Sequence, residues 1–281
     1  ASLVERNMFT LRRFDVPVLP AEMEPLRVLH LSDLHLTPNQ HRKERWVASL
    51  AGTDPDLVVV TGDHLAHPEA VPAVARALGP LLELPGAFVF GSNDYGGPVW
   101  KNPLSYLWQR SSEPHHVQGE PLPTEDLRAL LVEAGWADLN NARTTLKAGG
   151  RTVELVGVDD PHVGHDDYPS VAGPVSADAD VHLAVTHTPE PSVLDAMAAD
   201  GFSLLLAGHT HGGQVCVPGV GALVTNCGLD RRMAKGLHPW RPLGGQPSAW
   251  LHVSAGVGTH PTAPVRFACR PEASILTLIP R

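Results

Sequence analysis

The sequence has little of several features that define whole classes of protein. Cysteine occurs only three times in 281 residues and never at CxxC spacing, which excludes a disulfide scaffold. Lys and Arg total 21 against 30 Asp and Glu, a net charge of −9, and the lack of a basic surplus disfavours a general nucleic-acid-binding protein. No apolar run approaches the ~20 residues that a membrane span needs.

Histidine and apolar residues are well represented instead. Apolar residues make up 43% of the chain, which is enough to build a sizeable core and argues against disorder. There are 16 histidines. Because imidazole is the commonest metal ligand and exchanges protons near neutral pH, this number points to metal or acid–base chemistry.

The start of the chain gives no sign of a targeting segment. No positively charged stretch followed by an apolar stretch and a cleavage site is visible. We therefore expect the chain as given to be soluble. Because it begins with Ala1 rather than Met, its location stays open between the cytoplasm and a membrane reached through an upstream anchor that was removed.

Alternating strand and helix patterns begin after residue 24. We predict an N-terminal arm or edge strand over 1–24 and a single domain over 25–281. Buried strands are predicted at 26–31, 57–61, 87–90, 152–156, 181–186 and 203–206, with helices at 41–51, 69–84, 124–134 and 190–199. A long loop at 95–122 breaks the pattern. These elements favour an α/β fold, a four-layer α/β/β/α sandwich of two mixed sheets flanked by helices.

Polar residues follow each of the first three predicted strands. Asp33, Asp63 and Asn93 come at intervals of 30 residues, one strand–helix unit apart, and His35 and His64 accompany the first two. The carboxyl ends of parallel strands meet at one edge of a sheet, where open α/β sheets bind ligands. We therefore expect these side chains to converge.

Histidines follow two strands of the second half. His187 ends one strand, and His209 and His211 follow another within Gly-His-Thr-His-Gly-Gly. Together with the Asp and Asn side chains they form a mixed oxygen and imidazole set, which suits manganese, iron or zinc better than magnesium or calcium. No thiolate is involved, which argues against a structural zinc site.

The order of these motifs resembles that of the calcineurin-like metallophosphoesterase superfamily. The motifs are Asp-x-His, Gly-Asp, an Asn-containing turn, a strand-end His and Gly-His-x-His, and they span Asp33 to His211. The phrases LSDLHL, THTPEP and AGHTHGGQ are similar to those of the bacterial branch that contains cell-envelope phosphodiesterases and UDP-diacylglucosamine hydrolases. The resemblance implies a β-sandwich flanked by helices, in agreement with the predicted layers.

The resemblance also implies a site with two divalent metal ions, manganese first, with iron or zinc as alternatives. It assigns one metal to Asp33, His35 and His211, the second to Asn93, His187 and His209, and the bridging position to Asp63. A metal-bridging hydroxide would attack a phosphodiester, phosphomonoester or pyrophosphate. We expect a phosphorylated small-molecule or lipid-linked substrate, no nucleic acid, and a place for peripheral membrane contact.

The third motif departs from the family pattern of Gly-Asn-His-Asp/Glu. The chain has Gly91-Ser92-Asn93-Asp94. Aligned by Asn, Asp94 replaces the His that assists the leaving group; aligned by Gly, Ser92 replaces the Asn and Asn93 the His. We prefer the first, since an amide oxygen ligates these metals better than a hydroxyl.

The missing histidine leaves the general acid open. Candidates for a catalytic acid are Asp94, His64 and His67, with His115 and His116 in the long loop as further ones. If none acts, substrates with good leaving groups should be favoured.

Other interpretations also stay open. The protein could be a metal-binding scaffold without turnover, or a nuclease. Asp160 and His162 could support a metal ligand or form a turn, and Arg231, Arg232 and Lys235 could meet phosphate or solvent. The segment 100–108 could form a lid or a membrane-surface patch.

Overall fold

Two six-stranded sheets form the centre of the computed structural model, which describes residues 2–99, 119–242, 245, 248–259 and 262–281. Most of the loop predicted at 95–122, with His115, His116 and the segment 100–108, lies outside these residues. In the described part of the chain, no helix combines the length and apolar character of a membrane span.

The first sheet is mixed. Its strands are, in spatial order, β1 (Thr10–Leu19), β14 (Glu272–Pro280), β2 (Leu26–Leu31), β3 (Leu57–Thr61), β4 (Gly86–Val89) and β5 (Ala137–Asp138). Strands β2 to β5 are parallel, β14 is antiparallel to β2, and β1 pairs with β14 in parallel at the edge. The carboxyl ends of β2, β3 and β4 therefore lie side by side.

The second sheet is mixed as well. Its strands are, in spatial order, β12 (Gly236–Trp240), β13 (Ala249–Val253), β9 (Leu204–Ala207), β8 (Val181–Val185), β7 (Arg151–Gly157) and β6 (Ala142–Ala148). The four central strands are parallel, and the two outer ones are antiparallel to their neighbours. A small two-stranded hairpin, β10 (Cys216–Val217) and β11 (Gly221–Ala222), stands apart.

The described part of the chain contains six α-helices. They are α1 (Ser2–Glu5), α2 (His41–Ser49), α3 (Val71–Leu78), α4 (Ser92–Tyr95), α5 (Thr124–Glu133) and α6 (Pro191–Ala199). Helices α2, α3 and α5 cover the first sheet, and α6 covers the second. This confirms the predicted four-layer α/β/β/α sandwich.

Alternation along the strands explains why both faces of each sheet are buried. In β3, Val59 points into the core between the sheets and Val58 into the core under the helices. In β8, Leu183 points to the first of these cores and Ala184 toward α6. Because successive side chains of a strand point to opposite faces, continuous apolar runs are needed at these positions.

Candidate metal centre

Four of the seven predicted ligands form one tight cluster. Asp33, His35, Asp63 and His211 each offer a ligand atom, and these atoms all lie within 4.8 Å of one another. His35 Nε2 lies 3.1 Å from His211 Nε2 and 3.4 Å from Asp63 Oδ2. Asp33 Oδ1 lies 3.5 Å from His211 Nε2. Three strand ends, those of β2, β3 and β9, supply this cluster.

The other three predicted ligands lie next to Asp63 or next to His187. His187 Nε2 approaches Asp63 Oδ2 at 3.5 Å, and Asn93 Nδ2 donates to the same oxygen at 2.8 Å. The Asn93 backbone N–H donates to Asp63 Oδ1 at 2.9 Å. The His209 ring meets the His187 ring edge-on, with 5.3 Å between the ring centroids. Asp63 thus contacts members of both predicted ligand groups.

The backbone at these strand ends is left-handed. Asp33, His35, Asp63, His209 and His211 all have positive φ, between 42° and 67°. Few non-glycine residues adopt this conformation, and it persists only where the surroundings hold it. Its recurrence at five of the seven predicted ligands shows that the fold forces the chain to turn sharply here, so that consecutive polar side chains face the cluster.

Two glycines allow the close approach of the ligands. A side chain at Gly91 would place its Cβ 2.3 Å from Asp63 Oδ1 and 2.7 Å from His187 Nε2. A Cβ at Gly208 would lie 1.8 Å from the hydroxyl of Ser32, which donates to Asp33 Oδ2. A larger residue at either position would therefore force these side chains to move.

Burial and the charges of neighbouring side chains shift the pKa values of the cluster residues. Burial raises the pKa of Asp33 to about 7, and the neighbouring Asp63 carboxylate adds to the rise. Burial would also raise the pKa of Asp63, but His187 and His35 hold it well below its usual range. For His187, burial lowers the pKa, yet Asp63 and Asp160 together raise it well above its ordinary value.

The donor set fits divalent cations. Asp33 Oδ1 and His187 Nε2 are buried and form no hydrogen bond to any residue that the structure describes. Leaving such atoms without a partner is costly, and a cation would satisfy both. Carboxylate oxygens and imidazole nitrogens are also the ligands that intermediate divalent metals prefer.

The three candidates for the catalytic acid lie in or against the loop that follows β3. Asp94 is fully buried, and its Oδ1 accepts from the backbone N–H groups of His64 and Leu65. Its Oδ2 accepts from His64 Nδ1 at 2.9 Å and from the Gly91 N–H at 3.1 Å. Both oxygens are engaged, and such contacts suit a residue that positions the loop after Asp63.

The two candidate histidines have different surroundings. His64 is fully buried, and its ring packs edge-on against Phe88 and Phe90. His67 is half-buried, and its Nδ1 accepts from the Glu69 N–H at 3.0 Å, which stabilises the turn before α3.

Several supporting residues were not predicted as parts of the site. Arg266 is fully buried, with Nη2 lying 3.2 Å from His211 Nδ1 and donating to the Ala255 and Gly258 carbonyls. The Asn226 carbonyl lies 3.1 Å from His209 Nε2. No sequence pattern indicates either residue, because both lie in irregular segments that only the folded structure brings to the site.

The acidic turn after β7 supports the centre from one side. Asp160 is buried and accepts from the His162 N–H and from the Thr188 hydroxyl, next to His187. The His162 ring lies 4.8 Å from the His209 ring between centroids. The segment is thus both a turn and a support for metal-ligand candidates.

The motif order, the layers and this geometry agree with comparisons to known proteins. The family model for calcineurin-like phosphoesterases matches residues 26–213. The chain is 29% identical over 265 residues to the uncharacterized metallophosphoesterase YkoQ of Bacillus subtilis, which covers 91% of this chain and 84% of that protein. It is 28% identical over 280 residues to the phosphodiesterase YaeI of Escherichia coli, covering 98% and 90%.

A solved structure has a weaker likeness. The purple acid phosphatase PPD1 from yellow lupin seeds aligns with a TM-score of 0.42 and 10% identity, over 68% of this chain and 39% of that one. The family model alone spans more than half of the sequence, from the first strand of the predicted domain to the glycines after His211. The chain therefore belongs to the calcineurin-like phosphoesterase family and is a metal-dependent phosphoester hydrolase.

Proposed function

We propose that the protein hydrolyses a phosphodiester, phosphomonoester or pyrophosphate bond with two divalent cations, manganese being the first candidate. One observation carries this proposal: Asp63 Oδ2 lies close to a member of each predicted ligand group, 3.4 Å from His35 Nε2 and 3.5 Å from His187 Nε2. A carboxylate has two oxygens and can hold two cations ~3.5–4 Å apart, the spacing of two-metal phosphoryl chemistry.

The proposed ligand groups are those that the family resemblance implies. Asp33, His35 and His211 would hold one cation, Asn93, His187 and His209 the other, and Asp63 both. When bound, such cations activate water, neutralise phosphate charge and align the phosphorus for in-line attack. Asn93 would need to turn its amide, since its nitrogen rather than its oxygen now faces Asp63.

Asp94 and His64 would act as positioning residues. The Asp94 carboxylate links the loop that follows Asp63 to the turn at Gly91 through three backbone N–H groups and the His64 ring. This linkage holds Asp63 and Asn93 at a fixed separation. With both Asp94 oxygens engaged, proton donation to a leaving group would have to come from elsewhere or from water.

The substrate would accordingly carry a good leaving group. A phosphorylated small molecule, with an aryl ester or a pyrophosphate as leaving group, fits this chemistry, and a lipid-linked phosphate is a further candidate. A steep dependence of rate on leaving-group pKa across a series of aryl phosphodiesters is expected. A flat dependence would mean that a general acid acts and would contradict this part of the proposal.

Replacement of Asp63 by Asn tests the proposal. Asp63→Asn removes the charge that both cations share, so both should be lost on elemental analysis, and hydrolysis of bis-p-nitrophenyl phosphate with manganese should fall by more than about 100-fold. Asp178→Asn is the matched control, because Asp178 is an exposed carboxylate.

Three outcomes would contradict the proposal. Normal turnover by Asp63→Asn would refute the shared carboxylate. Metal binding by the wild-type protein without turnover of any ester would indicate a scaffold. Cleavage of DNA in preference to small esters would indicate a nuclease.

A further inference from the structure

Exposed apolar side chains are concentrated on one surface. Of the ten large hydrophobic residues that are exposed in the described part of the chain, nine belong to three neighbouring segments. Leu3, Val4 and Met8 lie in and after α1, Phe267 lies in the loop before β14, and the other five lie between 215 and 224, around the β10–β11 hairpin. We call these nine residues the apolar patch. Large exposed apolar patches mark sites of interaction.

Backbone hydrogen bonds hold the three segments side by side. The Cys216 N–H donates to the Phe267 carbonyl at 2.9 Å, and the Phe267 N–H donates to the Gln214 carbonyl at 3.0 Å. The Glu5 carboxylate accepts from the N–H groups of Ala268 and Cys269. The patch is therefore one continuous, defined surface rather than a set of separate loops.

Positive charge surrounds the patch. A cavity of about 580 Å³ beside α1 is lined by Val4 and Met8 together with Arg12, Lys235 and Arg270. Arg231 and Arg232 are exposed on the turn that follows β11 and packs against it. Glu5, the one acidic residue in the cavity lining, is occupied by backbone N–H groups.

This local charge is opposite to that of the whole chain. The net charge is −9, yet five basic residues gather around the patch. An apolar surface with a basic rim is complementary to the headgroups and acyl boundary of an anionic bilayer.

The hairpin part of the patch adjoins the candidate ligands along the chain. The hairpin follows His211 and Gly213 directly, and the chain returns from it to Asn226, whose carbonyl contacts His209. A bilayer that contacts the hairpin would therefore lie near the candidate metal ligands.

We infer that the apolar patch docks the protein on an anionic lipid bilayer. The apolar side chains of α1 and the hairpin would enter the acyl boundary, and the basic rim would contact the lipid phosphates. This inference stands on the patch alone and does not depend on which phosphoester the centre hydrolyses.

Vesicle co-sedimentation tests the inference. The full chain is mixed with vesicles of phosphatidylcholine and phosphatidylglycerol, or of phosphatidylcholine alone. The wild-type protein should pellet with the anionic vesicles and far less with the neutral ones. The double variant Val4→Ser with Val220→Ser should bind at least about tenfold more weakly, because it removes two of the most exposed apolar side chains of the patch.

Two further variants separate the apolar from the electrostatic contribution to vesicle binding. Val132→Ser, a matched change at an exposed valine of α5 outside the patch, should bind like the wild type. Lys235→Gln with Arg270→Gln should weaken binding to anionic vesicles and reduce its sensitivity to salt. Circular dichroism and thermal unfolding of every variant check that the fold is intact.

Other results would overturn the inference. These are no binding to anionic vesicles, equal binding by the patch variant, or a dimer in solution that the patch variant abolishes. The last result would assign the patch to a second copy of the chain.

Discussion

The two sheets bring different chemistry to the same centre. The edge formed by β2, β3 and β4 supplies both carboxylates, the asparagine and one imidazole, whereas the strand ends of β8 and β9 supply only imidazoles. The carboxylates of Asp33 and Asp63 repel each other in the first sheet, and His187 from the second sheet opposes that repulsion. Neither edge alone offers a balanced set of donors, so the candidate centre depends on the packing of the two sheets against each other.

Loss of one imidazole from the second sheet is expected to have the largest effect. His187→Ala and His211→Ala lie in different proposed ligand groups, so each variant should retain one of two manganese ions on elemental analysis. Turnover of bis-p-nitrophenyl phosphate should fall by about 100-fold or more in both. His182→Ala is the control, because His182 lies on β8, the strand that leads to His187, but its Nε2 lies 2.9 Å from the Ser176 carbonyl. If either variant kept both ions, the division into two groups would be wrong.

The addition of a methyl group at Gly91, at the edge of the first sheet, should have a smaller effect. Gly91 has extended backbone, at φ −117° and ψ 172°, so alanine is allowed there and acts only through its Cβ, 2.3 Å from Asp63 Oδ1. Gly91→Ala should weaken manganese binding by about tenfold or more in titration calorimetry. Gly52→Ala adds the same methyl where no atom lies within 4 Å and should bind normally. Equal affinities would show that the centre tolerates displacement of Asp63.

The smallest effect concerns a buried contact that joins the two sheets. His30 of β2 and His252 of β13 meet with 2.8 Å between their Nδ1 atoms. Burial lowers the pKa of His30 to about 3 from 6.5, and it lowers the pKa of His252 well below its ordinary value. Both are therefore neutral in the folded protein but protonated in the unfolded chain below about pH 6.5. For His30, the free energy of unfolding should then fall as the pH drops from 6.5 toward 3, by about 1.4 kcal/mol per pH unit, and His252 should add a loss in the same direction.

Replacement of one histidine of the pair measures how strongly the free energy of unfolding depends on pH. His30→Leu should reduce the loss of unfolding free energy between about pH 6 and 4 by about 1.4 kcal/mol per pH unit. Urea unfolding with a chelator present keeps metal binding out of the comparison. Above about pH 7.5, where both histidines are neutral in either state, the two curves should run parallel. Identical slopes at low pH would mean that the pair is protonated in the folded state.

Strands and motifs with a strong local signal could be predicted from the sequence. The bounds of β2 and β3 agree with the apolar runs LRVLHL and LVVVT, because strands buried on both faces need uninterrupted apolar residues. Strand β6, ARTTLKA, was not predicted, because four of its seven residues are polar and its pairing with β7 gives it its structure. Strands β5 and β12 were missed for the same lack of an apolar pattern.

The candidate site also contains residues that the sequence predicts and residues that it does not. The spacing of Asp33, Asp63 and Asn93 is a property of the strand–helix repeat, so their convergence could be predicted. The contact of Arg266 with His211 and the four hydrogen bonds to Asp94 depend on how distant segments pack, and no local pattern encodes them. The apolar patch escaped notice because its members come from three separate parts of the chain.

Strand β14 has a consequence for the biosynthesis of the protein. It lies between β1 and β2, although it comes more than two hundred residues after them in the chain. During translation β1 and β2 therefore lack their shared neighbour until residues Glu272–Pro280 have left the ribosome. Unpaired strand edges invite intermolecular pairing, so the nascent chain should depend on chaperones that shield these two segments.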